Sequence, residues 1–170
     1  MKKEDLVSFL KNVYYDDSRG LVDLSGLDFG ECSVDISRMK VKGNLLQKVQ
    51  SVGGYLIQNG QYVEGNLHQD NQTVEGDLYQ DCHRVDGDLH QDEQIVSGFL
   101  YQGHQNVGEN LHQNHQNVEG SLFQYGQNVD NDLYQKYQKV GGDIIQDEIK
   151  TMTKKEIEHE LGHKVIIEDE

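Results

Sequence analysis

The residues with the clearest chemical meaning lie near the C-terminus, where His159, Glu160 and His163 form an H-E-x-x-H pattern. On a helix this spacing places two imidazoles one turn apart to hold zinc, with the glutamate as general base. Gly162 follows the last apolar position, Leu161, and a glycine there is a helix stop signal. Because His163 would then lie outside the helix, we expect neither a zinc site nor protease activity.

A second group of candidate ligands is a set of histidines spaced 22 residues apart, namely His68, His90 and His112. Imidazoles repeated at this spacing could share a metal ion. Metal sites usually draw their ligands from converging elements, however, and side-by-side stacking explains such a column more simply. We therefore expect no metal site.

Aromatic residues alternate with these histidines along the chain and form the next candidate surface. They are Tyr79, Tyr101 and Phe123, with Phe99 nearby. Aromatic side chains are enriched at protein interfaces, although stacking alone would also account for the column. This column is expected to be a partner-binding face.

Acidic residues are concentrated between positions 64 and 93, where nine carboxylates accompany a single arginine and give a local net charge of −8. Regular negative charge is a property of nucleic acid, so a rigid column with rows of carboxylates could occupy a nucleic-acid-binding groove. The alternative is that the charge only keeps the protein soluble. The candidate partner-binding carboxylates are Glu64, Asp70, Glu75, Asp77, Asp81, Asp86, Asp88, Asp92 and Glu93.

Composition and charge restrict the classes of function. The 170-residue chain carries a net charge of −15, which opposes direct binding to nucleic acid or to an anionic membrane and favours a basic protein partner. Its apolar runs are too short for a signal peptide or a membrane span. Cys32 and Cys82 do not form a C-x-x-C pair and are expected to be reduced thiols in a cytoplasmic protein. Phosphate-binding and nucleophile motifs are also absent, so we expect no cofactor.

The candidate residues are positioned by an internal repeat of eleven residues. Ten copies with the consensus V-x-G-x-L-x-Q-x-x-Q-x extend from Val41 to Lys150. A helix with this period would carry a glycine at the third position of eight of the ten copies, at a cost of about 1 kcal/mol each. Alternation with period two followed by polar turn residues instead predicts a strand and a corner.

The alternation of histidine and aromatic residues between successive copies predicts that two copies make one coil. The sequence therefore predicts an all-β, parallel β-solenoid with two eleven-residue units per coil and about five stacked coils. Within each unit, Val, Gly, Leu and the first Gln are expected to point inward, and the Gln residues to form ladders. The second Gln is expected to close the corner by bonding to the backbone.

This pattern is similar to short-repeat β-solenoid proteins and, more loosely, to the pentapeptide-repeat family. Asp23 to Phe29 and Val34 to Ser37 resemble degenerate first coils of such a protein. The A-[DN]-L-x-x pattern of that family is absent. Some members of the family are DNA mimics, and the resemblance implies the same possibility for this chain. The V-x-G-x-L-x-Q array also resembles uncharacterised repeat proteins of Gram-positive phages.

Three segments are expected. Residues 1–21 would form an N-terminal capping helix, Glu4 to Tyr14, and a linker, and residues 22–150 the solenoid. Residues 151–170 would form a second capping helix, beginning with the T-x-x-E box at Thr153, and a short strand. Caps are expected because an open solenoid end exposes unpaired strand edges.

The sequence favours a non-enzymatic protein that binds and blocks a basic nucleic-acid-handling protein, as phage inhibitors of host defence do. The alternative is a structural spacer or a self-assembling scaffold. The chain is expected to be a monomer or an end-to-end homodimer.

Overall fold

The computed structural model describes residues 14–15 and 20–146. In this part the chain forms 23 short strands and no helix. The strands pair in parallel and make four sheets of five or six strands. This arrangement confirms the predicted all-β parallel solenoid.

From β4 onward, each coil contributes one strand to each sheet in turn, and we name the sheets A to D in that order. Sheet A contains β1 (Tyr14–Tyr15), β4 (Lys40–Val41), β8 (Tyr62–Val63), β12 (Arg84–Val85), β16 (Asn106–Val107) and β20 (Asn128–Val129). Sheet B contains β2 (Leu21–Asp23), β5 (Asn44–Leu46), β9 (Leu67–His68), β13 (Leu89–His90), β17 (Leu111–His112) and β21 (Leu133–Tyr134).

The other two sheets complete the four-sided coil. Sheet C contains β6 (Ser51–Val52), β10 (Thr73–Val74), β14 (Ile95–Val96), β18 (Asn117–Val118) and β22 (Lys139–Val140). Sheet D contains β3 (Val34–Asp35), β7 (Leu56–Ile57), β11 (Leu78–Tyr79), β15 (Leu100–Tyr101), β19 (Leu122–Gln124) and β23 (Ile144–Gln146). The corners between them are called AB, BC, CD and DA.

The register confirms that two repeat units make one coil. Leu78 pairs with Leu100, and glutamines of successive coils bond across a separation of 22 residues. The first coil departs from this register, since Tyr14 faces Lys40 and Leu21 faces Asn44. The stretch Val34 to Ser37 begins with strand β3, and Asp28 forms a bridge to Ser51, as expected for an irregular first coil.

Valines and leucines form the apolar part of the interior. One residue of each two-residue strand points inward, which gives columns such as Leu45, Leu67 and Leu89, all fully buried. Val52, Val74 and Val96 form an equivalent column on sheet C. Stacking identical residues buries a continuous core that one coil could not bury alone.

Glutamines fill the rest of the interior. At corner BC, the Nε2 of Gln69 donates to Gln47 Oε1 at 3.0 Å, and the Nε2 of Gln72 donates to the carbonyl of Gln47 at 2.9 Å. Gln80, from the diagonally opposite corner DA, donates to Gln72 Oε1 at 3.0 Å. Both predicted roles of glutamine, the ladder and the bond to the corner backbone, are therefore confirmed.

Corners BC and DA turn through a left-handed backbone residue. The eighth position after each repeat valine has a φ between 51° and 65° in nine corners from Val49 to Tyr137, and Arg38 precedes them with a φ of 60°. Only Gly60 and Gly126 among these ten residues are glycines. The left-handed region costs a residue with a Cβ roughly 1–2 kcal/mol, so each of these corners is held by contacts elsewhere in the coil.

Corners AB and CD use glycine for a different reason. A Cβ on Gly65 would lie 2.8 Å from the carbonyl carbon of Gly43, and a Cβ on Gly76 would lie 2.7 Å from the carbonyl oxygen of Gly54. The prediction that these glycines point inward is wrong: they are half-buried at the corners, where successive coils touch through their backbones. Glycine is used because only it permits this close approach.

The predicted ends fall largely outside the described residues. The C-terminal cap and H-E-x-x-H pattern, and the N-terminal helix up to Val13, lie outside them. Tyr14, expected as the last residue of that helix, lies instead in β1 and pairs with Lys40. The part of the chain that the structure describes contains no helix long and apolar enough to cross a membrane.

Candidate partner-binding surface

The nine predicted carboxylates occupy all four corners of the column. Glu64, Asp86 and Asp88 lie at corner AB; Asp70, Asp92 and Glu93 at corner BC; Glu75 and Asp77 at corner CD; and Asp81 at corner DA. They come from successive coils, because β8 and β12 are neighbours in sheet A and β9 and β13 are neighbours in sheet B. The carboxylates form a band around the column and do not make a single acidic face.

Five of the nine carboxylates also hold the coils together. The Oδ1 of Asp77 accepts the backbone N–H of Phe99 at 2.8 Å, and the Oδ1 of Asp88 accepts that of Asn110 at 3.0 Å. The same bond to the residue 22 positions later is made by the other three: Asp70, Asp81 and Asp92. We call these five residues the ladder aspartates.

Asparagine makes the same ladder bond in other coils. Asn66 Oδ1 accepts the N–H of Asp88 at 3.0 Å, and Asn59 Oδ1 accepts that of Asp81 at 2.8 Å. The bond therefore requires a side-chain oxygen at this position and not a negative charge. The ladder aspartates therefore have a structural role that does not depend on any partner.

The remaining four carboxylates are exposed and do not take part in the ladder. They are Glu64, Glu75, Asp86 and Glu93. Asp86 accepts a hydrogen bond from Tyr62 Oη at 3.3 Å and lies 3.5 Å from the Nε of Arg84. We call this set the exposed carboxylates, and it provides the negative charge most accessible to a partner.

The pKa values of three ladder aspartates, Asp70, Asp81 and Asp88, follow from their surroundings. The N–H donors of Asn110 lower the pKa of Asp88. Burial raises the pKa of Asp81, although the N–H of Gly103 opposes it. Burial would also raise the pKa of Asp70, but three groups lower it on balance: the His68 imidazole, whose Nδ1 lies 3.7 Å from Oδ2, the N–H of Asp92, and Lys48, whose Nζ lies 3.3 Å from Oδ2.

The predicted aromatic residues come together on sheet D. The rings of Tyr79 and Tyr101 stack with centroids 4.8 Å apart, and those of Tyr101 and Phe123 with centroids 4.6 Å apart. Phe99, at corner CD, contacts both Tyr101 and Phe123 edge-on at 6.2 Å and is 42% exposed. The column presents ring edges to solvent, because each face is covered by the ring of the next coil.

Acidic residues flank this aromatic column. Tyr79 Oη donates to Asp77 Oδ2 at 3.2 Å. Burial, followed by the charge of Asp77 and this hydrogen bond, raises the pKa of Tyr79 to about 12. Burial and the charges of Asp77 and Asp81 also raise the pKa of Tyr101. The phenols are therefore neutral donors at neutral pH.

The histidine column lies on sheet B, on the outer surface between corners AB and BC. His68, His90 and His112 stack with centroids 4.5 Å apart, and Tyr134 continues the stack at 4.6 Å. This confirms the stacking predicted from the 22-residue spacing. Burial, followed by the neighbouring histidines, lowers the pKa of His90.

One chemically distinctive residue was missed by sequence reasoning. His83 takes the place of the second glutamine in its repeat and is fully buried. Neither Nδ1 nor Nε2 has a hydrogen-bond partner. Burial lowers its pKa to about 3. The signal that could have identified it is the single break in an otherwise regular column: Gln61, His83, Gln105 and Gln127.

Comparison of the chain with protein-family models, with curated proteins and with solved structures gave no match. The solenoid and its surfaces are therefore the basis for assigning a function.

Proposed function

We propose that this protein is a non-enzymatic binding protein that blocks a basic, nucleic-acid-handling protein, in the manner of phage inhibitors of host defence. The observation that carries the proposal is the band of carboxylates around coils that repeat about every 4.8 Å. Glu64 and Asp86 occupy equivalent positions in adjacent coils, next to the paired residues Val63 and Val85. Such a rigid array of negative charge resembles the regular charge of a nucleic-acid backbone.

Three further features support this proposal. The net charge of −15 favours encounter with a basic surface through long-range attraction. The likeness to pentapeptide-repeat proteins, some of which mimic DNA, points in the same direction. The aromatic column on sheet D would supply apolar contact area beside the carboxylates of corner CD.

The proposal is tested on the exposed carboxylates, after a partner has been captured from a host lysate and purified. The test variant carries Glu64→Gln, Glu75→Gln, Asp86→Asn and Glu93→Gln together. Binding of this variant should fall more than about tenfold, since each lost charge removes a contact to a partner Lys or Arg side chain. Duplex DNA should compete with the unchanged protein, and rising salt should weaken binding steeply.

A matched control removes the same amount of charge from later coils. Glu109→Gln, Glu119→Gln, Asp130→Asn and Asp132→Asn all change residues that are exposed. Binding by this control should stay close to that of the unchanged protein. Equal losses in both variants would indicate a general charge effect, and binding that ignores both salt and DNA would contradict nucleic-acid mimicry.

The second candidate is a self-assembling scaffold, favoured by apolar side chains on the last described coil. Leu133 is 47% exposed, and Ile144 and Ile145 are 50% and 43% exposed. If end-to-end contact through this surface is the function, the sedimentation coefficient should rise with protein concentration. Leu133→Gln with Ile144→Thr should abolish that rise without affecting partner capture.

A further inference from the structure

The strand geometry brings a third ligand beside two of the stacked histidines. Through β13 and the two residues after it, at the start of corner BC, the side chains alternate: Leu89 and Gln91 are buried, while His90 and Asp92 lie on the outer side. The neighbouring strand β17 adds His112, which pairs with His90 in register. Ligand atoms of His90, Asp92 and His112 all lie within 4.8 Å of one another.

Asp92 is held in place with one oxygen to spare. Its Oδ1 accepts the backbone N–H of Asn114, so the ladder fixes the carboxylate at the corner beside the imidazoles. The equivalent Asp70 has its Oδ2 3.3 Å from Lys48 Nζ, and that carboxylate is therefore already paired with a cation. Lys48 lies one coil before Asp70. The residue one coil before Asp92 is Asp70, so Asp92 has a carboxylate at that position and not a cation.

We propose that His90, Asp92 and His112 form a binding site for a divalent transition-metal ion of the zinc, cobalt, nickel or copper class. Two imidazole nitrogens and one carboxylate oxygen are donors that these ions prefer, with metal–ligand distances of about 2.0–2.2 Å. The rings of His90 and His112 are stacked with their planes 7° apart, so at least one ring must turn out of this parallel arrangement before both direct a nitrogen at one ion. Both side chains are only half-buried, which leaves room for that rotation. Three protein ligands leave a further coordination position for water or for a group on a partner.

The objection that a stacked column lacks converging ligands is answered by Asp92. The column alone offers only parallel rings from adjacent strands, whereas the corner turns the carboxylate toward them. This convergence occurs because His90 of β13 and Asp92, two residues later at corner BC, lie beside His112 of β17. In the following coil the aspartate is replaced by Asn114, two residues after His112, so the full set of three ligands is not repeated there.

The experiment measures binding of Zn²⁺ by titration calorimetry and of Co²⁺ by its visible absorption, using the full chain without a histidine tag. Asp92→Asn retains the ladder oxygen, as Asn114 does one coil later, and His112→Tyr retains the stack, as Tyr134 does. Each variant should weaken binding about tenfold or more, because even losing an outer hydrogen bond to a metal ligand costs about 10- to 100-fold. Their unfolding midpoints without metal should stay unchanged.

Two controls separate this site from other histidines. His68→Tyr alters the same stack outside the proposed ligands and should leave affinity within about twofold, far less than the loss expected for a ligand. His159→Ala tests the H-E-x-x-H pattern and should leave one ion bound per chain. Zinc binding that survives Asp92→Asn and His112→Tyr but disappears with His159→Ala would overturn the proposal, as would the absence of binding heat and of a cobalt spectrum.

Discussion

His83 interrupts a glutamine network that is otherwise continuous through the interior. In the next coil, Gln105 Nε2 donates to the carbonyl of Gln80 at 2.9 Å and to Gln91 Oε1 at 3.2 Å. A glutamine at position 83, one coil earlier, would by the same repeat donate to the carbonyl of Gln58 and to Gln69 Oε1. His83 makes neither bond, so polar groups remain unpaired in the core.

The first prediction is that His83→Gln stabilises the protein. The change should raise the free energy of unfolding by about 1–3 kcal/mol, which is the cost of leaving buried polar groups without partners. Urea denaturation at pH 7.5, followed by circular dichroism, measures this difference. His83→Ala provides the control, because it removes the imidazole without adding an amide and should not stabilise.

The second prediction concerns pH. The pKa of His83 falls from about 6.5 unfolded to about 3 folded, so the unfolded chain binds more protons between these values. The stability associated with neutral His83 is therefore complete above pH 6.5 and is lost as pH falls toward 3. At pH 5 the loss should be about 2 kcal/mol.

This contribution is isolated by comparing two proteins. The difference in unfolding free energy between His83→Gln and the unchanged chain should grow by about 2 kcal/mol from pH 7.5 to pH 5, while other titrations cancel. A difference that stays constant over this range would show that His83 is protonated in the folded state.

At the scale of the element, the corner is the part of the fold that local sequence preference explains least. The left-handed position is occupied by Val49, Asn71, Glu93, His115 and Tyr137 at corner BC alone. A β-branched residue is especially unfavourable there, and Val49 has a φ of 54° with 62% of its surface exposed. Its side chain therefore gains little burial in return.

The third prediction follows from this comparison. Val49→Asn should stabilise the protein by about 1 kcal/mol, because asparagine tolerates the left-handed region better. Asn71→Val, at the equivalent corner one coil later, should destabilise it by a similar amount. Thermal unfolding of both variants measures the two effects, and shifts in the same direction would show that the backbone angle does not control them.

Sequence patterns predicted the strands better than the corners. The columns of Val, Leu and Gln identify the inward side directly, because burial selects residue type in every copy. Glycine was misplaced, since its position between Val and Leu continues the alternation although the chain is already turning there. The left-handed residue left no compositional signal, because eight of its ten positions hold residues other than glycine.

The candidate surfaces were also predicted only in part: the stacked columns were predicted, but the bonds of the carboxylates and their distribution over the corners were not. The 22-residue spacing correctly placed the histidine and aromatic columns in separate stacks. It could not show that Asp70 or Asp92 accept backbone N–H groups, because that bond depends on the distance between coils at a corner. The charge of residues 64–93 was visible, but its distribution over four corners requires the coil geometry.

At the scale of the whole molecule, the column should tolerate removal of a complete coil. Deleting Val74 to Ile95 removes one coil of 22 residues and joins Thr73 to Val96. Val96 is the equivalent of Val74 in the next coil, so every inward residue still meets an equivalent partner. The shortened protein should unfold cooperatively, with a denaturant slope reduced in proportion to the surface lost. Repeat proteins behave in this way because each unit contacts only its neighbours.

A deletion shorter by one residue provides the control. Removing Val74 to Gln94 leaves Ile95 in the place of Val74 and would turn each following inward side chain outward. This variant should lose the cooperative transition of the later coils. Equal stability of the two deletion proteins would be incompatible with the inward columns described above.

The constant separation between paired strands has a consequence for synthesis of the protein on the ribosome. From β7 onward, each described strand bonds on one side to a strand that was translated one coil earlier, and no pairing among the described strands requires a distant later segment. At about 5–20 residues per second, translation supplies a new coil within a few seconds, when its docking surface is already present. The solenoid can therefore fold in the order of translation, and at any time no more than one newly translated coil has strands that are not yet paired.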